Sequence, residues 1–248
     1  MTFKDHFSAR AALYAAHRPD YPAALFSHLA GIPANRNVAC DCATGSGQAA
    51  VGLLGHFRTI VAIDASRSQL AHATRDGQVS YVAAAAEQIP LRAKSVDLVT
   101  VAQAAHWLEL GKFYDEVRQV LAPGGALAIW GYGDPVLSDP GLGAIVHDFN
   151  RGTIENYWAP ERMLLLDGYA SIPFPFRETP QPAFTLTREW TMAELGGYLR
   201  TWSATAAYVA AHGEDPVVAV ERALAKNWGP HDTRQRLEWP LYLRVGYA

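Results

Sequence analysis

Short apolar runs alternate with amphipathic stretches along the first half of the chain. Five of these runs have the length and composition of buried strands, and they cover Val38–Ala43, Thr59–Asp64, Val79–Ala83, Ser95–Ala102 and Ala126–Trp130. Helical periodicity or helix-capping residues lie between most of them. Strands that alternate with helices at this spacing predict βαβ units with right-handed crossovers, and therefore a parallel sheet.

The two ends of the chain depart from this alternation. Residues 1–36 show helical spacing that is interrupted at Arg18–Pro22, which predicts lid helices ahead of the first strand. Prolines accumulate in residues 134–183, and this predicts an irregular cap. Alternating apolar positions return at Phe184–Trp190 and Pro240–Val245, which predicts two late strands and an antiparallel end to the sheet.

Two capping boxes mark the expected starts of helices. The pair at Ser66–Gln69 predicts a helix that runs to about Arg75. The pair at Thr191–Glu194 predicts one continuous helix that extends as far as Ala206.

These elements predict an α/β fold of the Rossmann-like, doubly wound type. Its sheet would be seven-stranded and mostly parallel with an antiparallel C-terminal strand. A chain of 248 residues that is 50% hydrophobic can bury the core of one such domain. Within this single domain, residues 1–36 would form the lid helices, residues 37–133 the cofactor-binding core, and residues 134–248 the cap, the substrate region and the closing strands.

Charge and composition exclude several classes of protein. The net charge of −3 argues against binding to nucleic acid, which needs clustered basic residues. No apolar run reaches the length of a membrane span, and the first residues lack the apolar segment of a signal peptide. Cys40 and Cys42 are too few for a disulfide framework or a zinc site. We expect them to pack on one face of the first strand in a reducing, cytoplasmic compartment, and we expect no metal.

A glycine-containing turn at Thr44–Gln48 joins the first strand to the small apolar residues 49–54, which we expect to form a helix. Strand, glycine turn and helix bring backbone N–H groups close to a ligand, because glycine has no Cβ atom. Such a turn can bind either a dinucleotide or S-adenosylmethionine.

The nicotinamide alternative has support in the spacing of this region. Gly45–Ala50 satisfies the loose G-x-G-x-x-A pattern, and Asp64 follows about 20 residues later, as a ribose-binding acid would. Two observations count against it. Asp41 is a poor neighbour for a pyrophosphate but a good one for the ammonium of an amino acid. A Tyr-x-x-x-Lys pair, which would serve hydride transfer, does not occur in the chain.

An ordered set of motifs resembles the class I S-adenosylmethionine-dependent methyltransferases. The set comprises Asp41–Gln48, Asp64 at the end of the second strand, Ala86-Glu87, and Gln103-Ala-Ala-His106-Trp107 after the fourth strand. The opening Tyr14…Arg18-Pro-x-Tyr21-Pro, the Gln-x-x-His-Trp segment and Leu121–Gly125 are similar to the branch that contains trans-aconitate and cantharidin methyltransferases. The resemblance covers residues 1–133 well and the remainder loosely.

The resemblance implies S-adenosylmethionine as cofactor and S-adenosylhomocysteine as product. The residues expected to bind the cofactor are Asp41, Ala43, Thr44, Gly45, Gly47, Gln48, Asp64, Ala65, Ala86, Glu87 and Gln103. Asp41 would bind the ammonium directly or through water, and Asp64 would accept both ribose hydroxyls. Gln103 would line the methionine portion by the family match, although a surface amide is an alternative.

Two positions depart from the family pattern. Ala43 stands where the first glycine of the motif usually lies, and its methyl group is tolerable if the φ at this position is negative. Ala85 replaces the acid that many relatives place against the adenine amino group. Adenine recognition would then depend on Ala86 and Glu87.

Candidate substrate residues lie after the fourth strand and in the lid. His106 and Trp107 follow the carboxyl end of a strand, where open α/β sheets bind their ligands. His106 is a candidate general base, with alternatives in orienting a substrate oxygen or in a hydrogen bond within the cap. Arg18, between Tyr14 and Tyr21, resembles a carboxylate-binding fork, with an ordinary surface arginine as the alternative.

The sequence therefore predicts methyl transfer to a small molecule, at an oxygen of a carboxylate or hydroxyl. For methyl transfer the protein mainly has to align the acceptor's lone pair with the S–CH₃ bond in a pocket that excludes water. An ionised carboxylate acceptor needs no base. A nicotinamide-dependent oxidoreductase and a non-catalytic cofactor-binding protein are the alternatives. We expect the protein to act as a monomer or homodimer, without nucleic acid or membrane partners.

Overall fold

The computed structural model describes residues 17–248, and in this part of the chain nine strands form one sheet. The strands are β1 Val38–Cys42, β2 Thr59–Asp64, β3 Val79–Ala83, β4 Val96–Ala102, β5 Leu121–Tyr132, β6 Val136–Leu137, β7 Arg177–Thr179, β8 Phe184–Trp190 and β9 Gln235–Tyr247. The order across the sheet is β3-β2-β1-β4-β5-β9-β6, and β7 and β8 also pair with β9.

The sheet is mostly parallel, and its antiparallel strand is the last one. Strands β1 to β5 pair in parallel, whereas β9 runs antiparallel to β5. Because β9 is 13 residues long, each of its edges pairs with two strands. From the start of β9 to its end, one edge pairs with β6 and then β5, and the other pairs with β8 and then β7. The nine strands of the described residues therefore fill the seven strand positions that the sequence predicted, and the predicted α/β fold class is confirmed.

Helices connect the strands and form much of the cap. They are α1 Ala23–Ala30, α2 Gln48–Gly52, α3 Arg67–Ala71, α4 Leu110–Val120, α5 Pro140–Asp148, α6 Arg162–Leu166, α7 Met192–Arg200, α8 Ser203–His212 and α9 Val217–Leu224. None of the helices within residues 17–248 has the length and hydropathy needed to cross a bilayer.

Three local predictions need correction. The helix after Ser66 ends at Ala71, short of the predicted Arg75. The single helix predicted as far as Ala206 is two helices, α7 and α8. The segment 134–183 is not irregular throughout, because it contains α5, α6 and two short strands.

Hydroxyl groups explain the break between α7 and α8. Thr201 Oγ1 donates to the Tyr198 carbonyl at 2.6 Å, and Thr205 Oγ1 donates to the Leu199 carbonyl at 2.8 Å. These bonds satisfy carbonyls that a continuing helix would use, and Trp202 then adopts an extended backbone. The capping box that opens α7 is confirmed, with reciprocal bonds between Thr191 and Glu194.

Apolar clusters cover both faces of the sheet. Alternation along β1 places Cys40 and Cys42 on one face, where both are buried free thiols with their sulfurs 3.8 Å apart. Strand order reverses at β1, whose neighbours are β2 on one side and β4 on the other. In an open α/β sheet, the crevice at this reversal is where ligands bind.

Candidate active site

A cavity of about 520 Å³ opens at the carboxyl ends of β1, β2 and β4. Most of the residues predicted to bind the cofactor line it, namely Ala43, Thr44, Gly45, Gln48, Asp64, Ala65, Ala86, Glu87 and Gln103. Asp41 and Gly47 are not among the lining residues. The predicted residues thus come from four loops that the parallel strands bring to one edge of the sheet.

The turn after β1 has left-handed backbone at three positions: φ is +52° at Ala43, +58° at Gly45 and +87° at Gly47. At Gly47 a Cβ atom would lie 2.3 Å from the Tyr81 hydroxyl oxygen, so the Tyr81 ring would have to shift to admit a side chain. The condition for easy tolerance of Ala43, a negative φ, is not met. Ala43 adopts the conformation that favours glycine and bears the associated strain, of order 1–2 kcal/mol.

Asp41 lies beneath this turn, and its carboxylate binds hydroxyl groups of the protein. Thr44 Oγ1 donates to it at 2.5 Å and Thr100 Oγ1 at 2.7 Å, and the residue is 1% exposed. Burial raises the pKa of Asp41 to about 6, although the two hydroxyl hydrogen bonds act in the opposite direction. Asp41 therefore ties the turn to β4, and a direct contact with a ligand has no support in this geometry.

Asp64 joins the turn to the end of β2 and also lines the cavity. Its Oδ2 accepts from the Gly45 N–H at 2.8 Å, and its Oδ1 accepts from the Ser66 N–H at 2.7 Å. Ser66 is the N-cap of α3, because its hydroxyl accepts from the Gln69 N–H. Each carboxylate oxygen has a second lone pair, so Asp64 can still accept two ribose hydroxyls.

Gln69 is a candidate that sequence reasoning treated only as part of a capping box. It is buried, lines the cavity, and its Oε1 has no hydrogen-bond partner among residues 17–248. A buried carbonyl oxygen without a donor is costly, so this atom suits a ligand that brings its own N–H or O–H group. The sequence feature that could have indicated this role is the position of Gln69 in the first turn of α3, shortly after Asp64.

On the side expected for adenine, Ala85, Ala86 and Glu87 all line the cavity. The Glu87 carboxylate accepts from the Glu109 N–H at 2.8 Å, which ties the loop after β3 to the start of α4. The loops after β3 and β4 therefore hold each other in place around the cavity.

A smaller cavity of about 70 Å³ adjoins the first. Gln103, His106 and Trp107 line both cavities, so they mark the junction between them. Of the residues predicted to bind substrate, Arg18 lines the smaller cavity and Tyr21 lines the larger one. Tyr14 lies outside the described residues.

Gln103 is committed to the backbone of β5. Its Nε2 donates to the Tyr132 carbonyl at 3.2 Å, and its Oε1 accepts from the Tyr132 N–H at 3.1 Å. It is half-buried with a φ of +55°, so the alternative of a surface amide does not hold. The paired bonds hold the Gln103 side chain in place at the junction of the two cavities.

His106 is a neutral imidazole within a layer of aromatic rings. Its Nδ1 lies 2.9 Å from the Tyr169 hydroxyl, and its ring centre lies 4.7 Å from that of Trp107. Burial lowers the pKa of His106 to about 4. A general base works best with a pKa near the operating pH, so this geometry favours orientation of a substrate over proton abstraction.

Two guanidinium groups line the smaller cavity. Arg162 is buried, forms an ion pair with Asp134, and stacks 3.7 Å from the ring centre of Trp158. Arg18 Nη1 donates to the Tyr132 hydroxyl at 3.2 Å. Sequence reasoning missed Arg162, because it lies in the proline-rich cap without any recognisable motif.

Comparison with known proteins agrees with this geometry. Residues 40–129 match the family described as a methyltransferase domain. A Dictyostelium discoideum protein named as a methyltransferase is 33% identical over 97% of this chain and 94% of its own length. The chain belongs to the methyltransferase family. A solved structure from Anaeromyxobacter dehalogenans, described as a type II methyltransferase, is 38% identical with a TM-score of 0.86, covering 93% of this chain and 97% of that one.

A more distant relative of this methyltransferase carries a name that includes the cofactor. A Saccharomyces cerevisiae protein named as an S-adenosylmethionine-dependent methyltransferase is 25% identical over 82% of this chain and 81% of its own length. These similarities favour the methyltransferase over the nicotinamide-dependent and the non-catalytic alternatives. The closer similarity to the trans-aconitate and cantharidin branch stays a prediction.

The family and fold of this methyltransferase imply the use of S-adenosylmethionine, and the cavity suits that cofactor. The turn at Gly45 leaves room for a close backbone approach, since within residues 17–248 the nearest atom to a Cβ built there, apart from its chain neighbours, is Gln69 Oε1 at 3.9 Å. Asp64 supplies an acceptor for two hydroxyls, and Gln69 Oε1, which has no hydrogen-bond partner among residues 17–248, supplies another acceptor. These features suit a ligand that brings hydroxyl or N–H donors.

Proposed function

We propose that this methyltransferase binds S-adenosylmethionine in the larger cavity and methylates a carboxylate oxygen of a small molecule in the smaller one. Of the two acceptor oxygens that the sequence predicted, the carboxylate is favoured over the hydroxyl. The observation that carries this choice is the pair of arginines, Arg18 and Arg162, beside a histidine whose lowered pKa makes it a weak base.

On the cofactor side, the protein supplies binding and orientation. Asp64 would accept the ribose hydroxyls, Gln69 would accept a further donor, and the backbone of residues 43–45 would bind the amino-acid end. Gln103 and Trp107 line both cavities and would flank the junction at which the methyl group meets the acceptor. When bound, S-adenosylmethionine supplies a methyl group on a sulfonium, and the C–S electron pair stays on sulfur as the new O–C bond forms.

On the acceptor side, charge explains why no base is needed. A carboxylate is already ionised at pH 7, so its methylation releases no proton. Arg18 and Arg162 outnumber the single carboxylate of Asp134 among the residues that line the smaller cavity. Guanidinium groups bind carboxylates with paired, charge-assisted hydrogen bonds. A hydroxyl acceptor would have to lose a proton, and His106 with its lowered pKa is poorly suited to accept it.

The wider setting of the protein follows the expectations from its composition. A net charge of −3 supports a small-molecule partner and not a nucleic acid. The free, buried Cys40 and Cys42 support a reducing, cytoplasmic location. We expect a monomer or homodimer that works without a membrane partner.

Calorimetric titration with S-adenosylhomocysteine, with NADH in parallel, tests the cofactor. Micromolar binding of S-adenosylhomocysteine alone would support the proposal, whereas binding of NADH alone or of neither ligand would overturn it. Small carboxylic acids, each paired with the alcohol of the same carbon skeleton, would then be incubated with S-adenosylmethionine. Methyl esters are the expected products, and methylation of the alcohols alone would overturn the carboxylate assignment.

Arginine variants test the acceptor side separately. Arg18→Gln should raise KM for a carboxylic acid by about tenfold or more, because a charged hydrogen bond is lost. Arg236→Gln is the matched control, since Arg236 is exposed, pairs with Glu238 and lines neither cavity. Equal KM values in the two variants would remove Arg18 from the acceptor site.

A further inference from the structure

Tyr169 contacts His106 from the side of the cap and lies outside both cavities. Its hydroxyl is 2.9 Å from His106 Nδ1, and the two rings are nearly parallel with centres 6.0 Å apart. Tyr169 is fully buried. Since Nδ1 is engaged by this hydroxyl, Nε2 is the ring nitrogen of His106 that remains for a ligand in the adjoining cavities.

The chemistry of the two groups decides the direction of this hydrogen bond. A neutral imidazole has one nitrogen that donates and one that accepts, and the partner of the first nitrogen sets the role of the second. An unprotonated imidazole nitrogen is a strong acceptor, whereas a phenolic oxygen shares its lone pair with the ring and accepts weakly. The arrangement Tyr O–H to Nδ1 is therefore favoured over Nδ1–H to the phenolic oxygen.

The surrounding residues hold Tyr169 in a backbone conformation that a tyrosine rarely adopts. Its φ is +62°, in the left-handed region. Arg244 Nη1 on β9 donates to the Tyr169 carbonyl at 2.6 Å, and the Tyr169 N–H donates to the Leu164 carbonyl at 2.8 Å. Arg244 is itself fixed by an ion pair with Glu178 at 2.8 Å. Strain of this kind persists only where several contacts impose it, and such sites often serve function.

We propose that the Tyr169 hydroxyl donates to His106 Nδ1 and thereby holds the neutral ring as its Nε2–H tautomer, which presents a hydrogen-bond donor to the acceptor's oxygen. Tyr169 is then a positioning residue that acts through His106. The part that concerns the acceptor rests on the proposed function, whereas the tautomer does not. The charged side chains that act on the His106 ring are Glu161 and Arg162, whose electrostatic effects oppose each other.

Nitrogen-15 NMR of histidine-labelled protein at pH 7 tests the tautomer directly. Among the nine histidines, the signals of His106 are identified by their loss in His106→Asn. We expect Nδ1 to resonate as an unprotonated nitrogen and Nε2 as a protonated one. The reverse assignment, or a positively charged ring, would overturn the proposal whether or not the protein has a cofactor.

Two phenylalanine variants separate the role of Tyr169 from that of packing. Tyr169→Phe removes the hydroxyl and keeps the ring, and both His106 signals should move towards the averaged positions of a tautomer mixture. Tyr157→Phe is the matched control, because Tyr157 hydrogen-bonds to His212 and lines neither cavity. The control should change the His212 signals and leave those of His106 in place.

Titration with S-adenosylhomocysteine distinguishes failure of this proposal from failure of the proposed function. Tyr169→Phe should bind it with the wild-type dissociation constant. Unchanged His106 signals in Tyr169→Phe would overturn the assigned role of Tyr169, even where that ligand binds normally. Absence of binding in the wild-type protein would overturn the proposed function and leave the tautomer result standing.

Discussion

The Gly45 N–H donates a 2.8 Å hydrogen bond to Asp64 Oδ2, and this bond joins the turn after β1 to the end of β2. The other oxygen of the same carboxylate accepts from the Ser66 N–H at 2.7 Å. Asp64 therefore stabilises the glycine turn and also lines the cavity, where it can accept hydrogen bonds from a ligand's hydroxyls. Its contributions to stability and to binding have to be measured separately.

Replacing Asp64 by alanine should weaken binding of S-adenosylhomocysteine by about tenfold or more. The reason is the loss of a charged acceptor, whose hydrogen bonds contribute roughly 1.5–3 kcal/mol each. Asp97→Ala is the control, because Asp97 also accepts two backbone N–H groups, from Asn37 and Val38, but lies outside the cavity. Calorimetry should show normal affinity in the control and reduced affinity in Asp64→Ala. Normal affinity in both would contradict the ribose assignment.

Gly47→Ala should destabilise the protein by about 2–4 kcal/mol. Strain at a φ of +87° adds to a clash of the new methyl group with the Tyr81 ring and hydroxyl. Gly55→Ala is the control, because Gly55 has a similar φ of +74° and, among the described residues, only its chain neighbours come within 4 Å of the new Cβ, so it should cost only about 1–2 kcal/mol. Urea denaturation of both variants measures the difference. Equal losses would mean that the contact with Tyr81 is unimportant.

Ala43→Gly should stabilise the protein by about 0.5–1 kcal/mol. Glycine relieves the strain of a φ of +52°, and the greater entropy of the unfolded chain offsets part of the gain. Ala49→Gly is the contrasting variant, since Ala49 lies in α2, where glycine should cost about 0.5–1 kcal/mol. Chemical denaturation should therefore give opposite signs for the two variants, and a loss of stability at position 43 would refute the strain argument.

Asp41→Asn should change how stability depends on pH between about 4 and 6. The pKa of Asp41 is raised to about 6 from 3.8, so in this window the folded state holds a proton that the unfolded state has lost. The unfolding free energy of the wild type therefore falls as pH rises through this window, and the asparagine variant lacks this loss. The free energy of unfolding of Asp41→Asn minus that of the wild type should increase by the order of 1–3 kcal/mol from pH 4 to pH 6 and stay constant above that range. A difference that is constant across this range would show that the pKa of Asp41 is not raised.

Local patterns were sufficient to predict most of the residues that come together at the larger cavity. The apolar run of β1, the glycine turn after it and Asp64 at the end of β2 are each visible within a few residues of sequence. Because parallel strands align their carboxyl ends, these separate signals predict that Ala86, Glu87 and Gln103 lie close to them. The structure places all of these residues at one cavity.

The residues in and around the smaller cavity could be predicted only in part from the sequence, and the reason is physical. His106 and Trp107 belong to a motif, but Arg162 and Tyr169 lie in the cap, where neither periodicity nor spacing marks them. The contact between His106 and Tyr169 joins residues 63 positions apart, and packing of the cap decides it. Burial by that packing also lowers the pKa of His106, which makes the ring a weak base.

By itself, the sequence determined the alternation of strands and helices as far as β5, the glycine turn and the acid that follows it, because these depend on short-range periodicity and backbone preference. The tertiary structure decided which polar groups are already satisfied and which remain for a ligand. Asp41 looked like a ligand-binding acid until Thr100, 59 residues away, was found to donate to it. Gln69 looked like a capping residue until its Oε1 was found buried without a partner among residues 17–248. Hydrogen-bond partners and burial are properties of the folded chain, and the chemistry of this site depends on both.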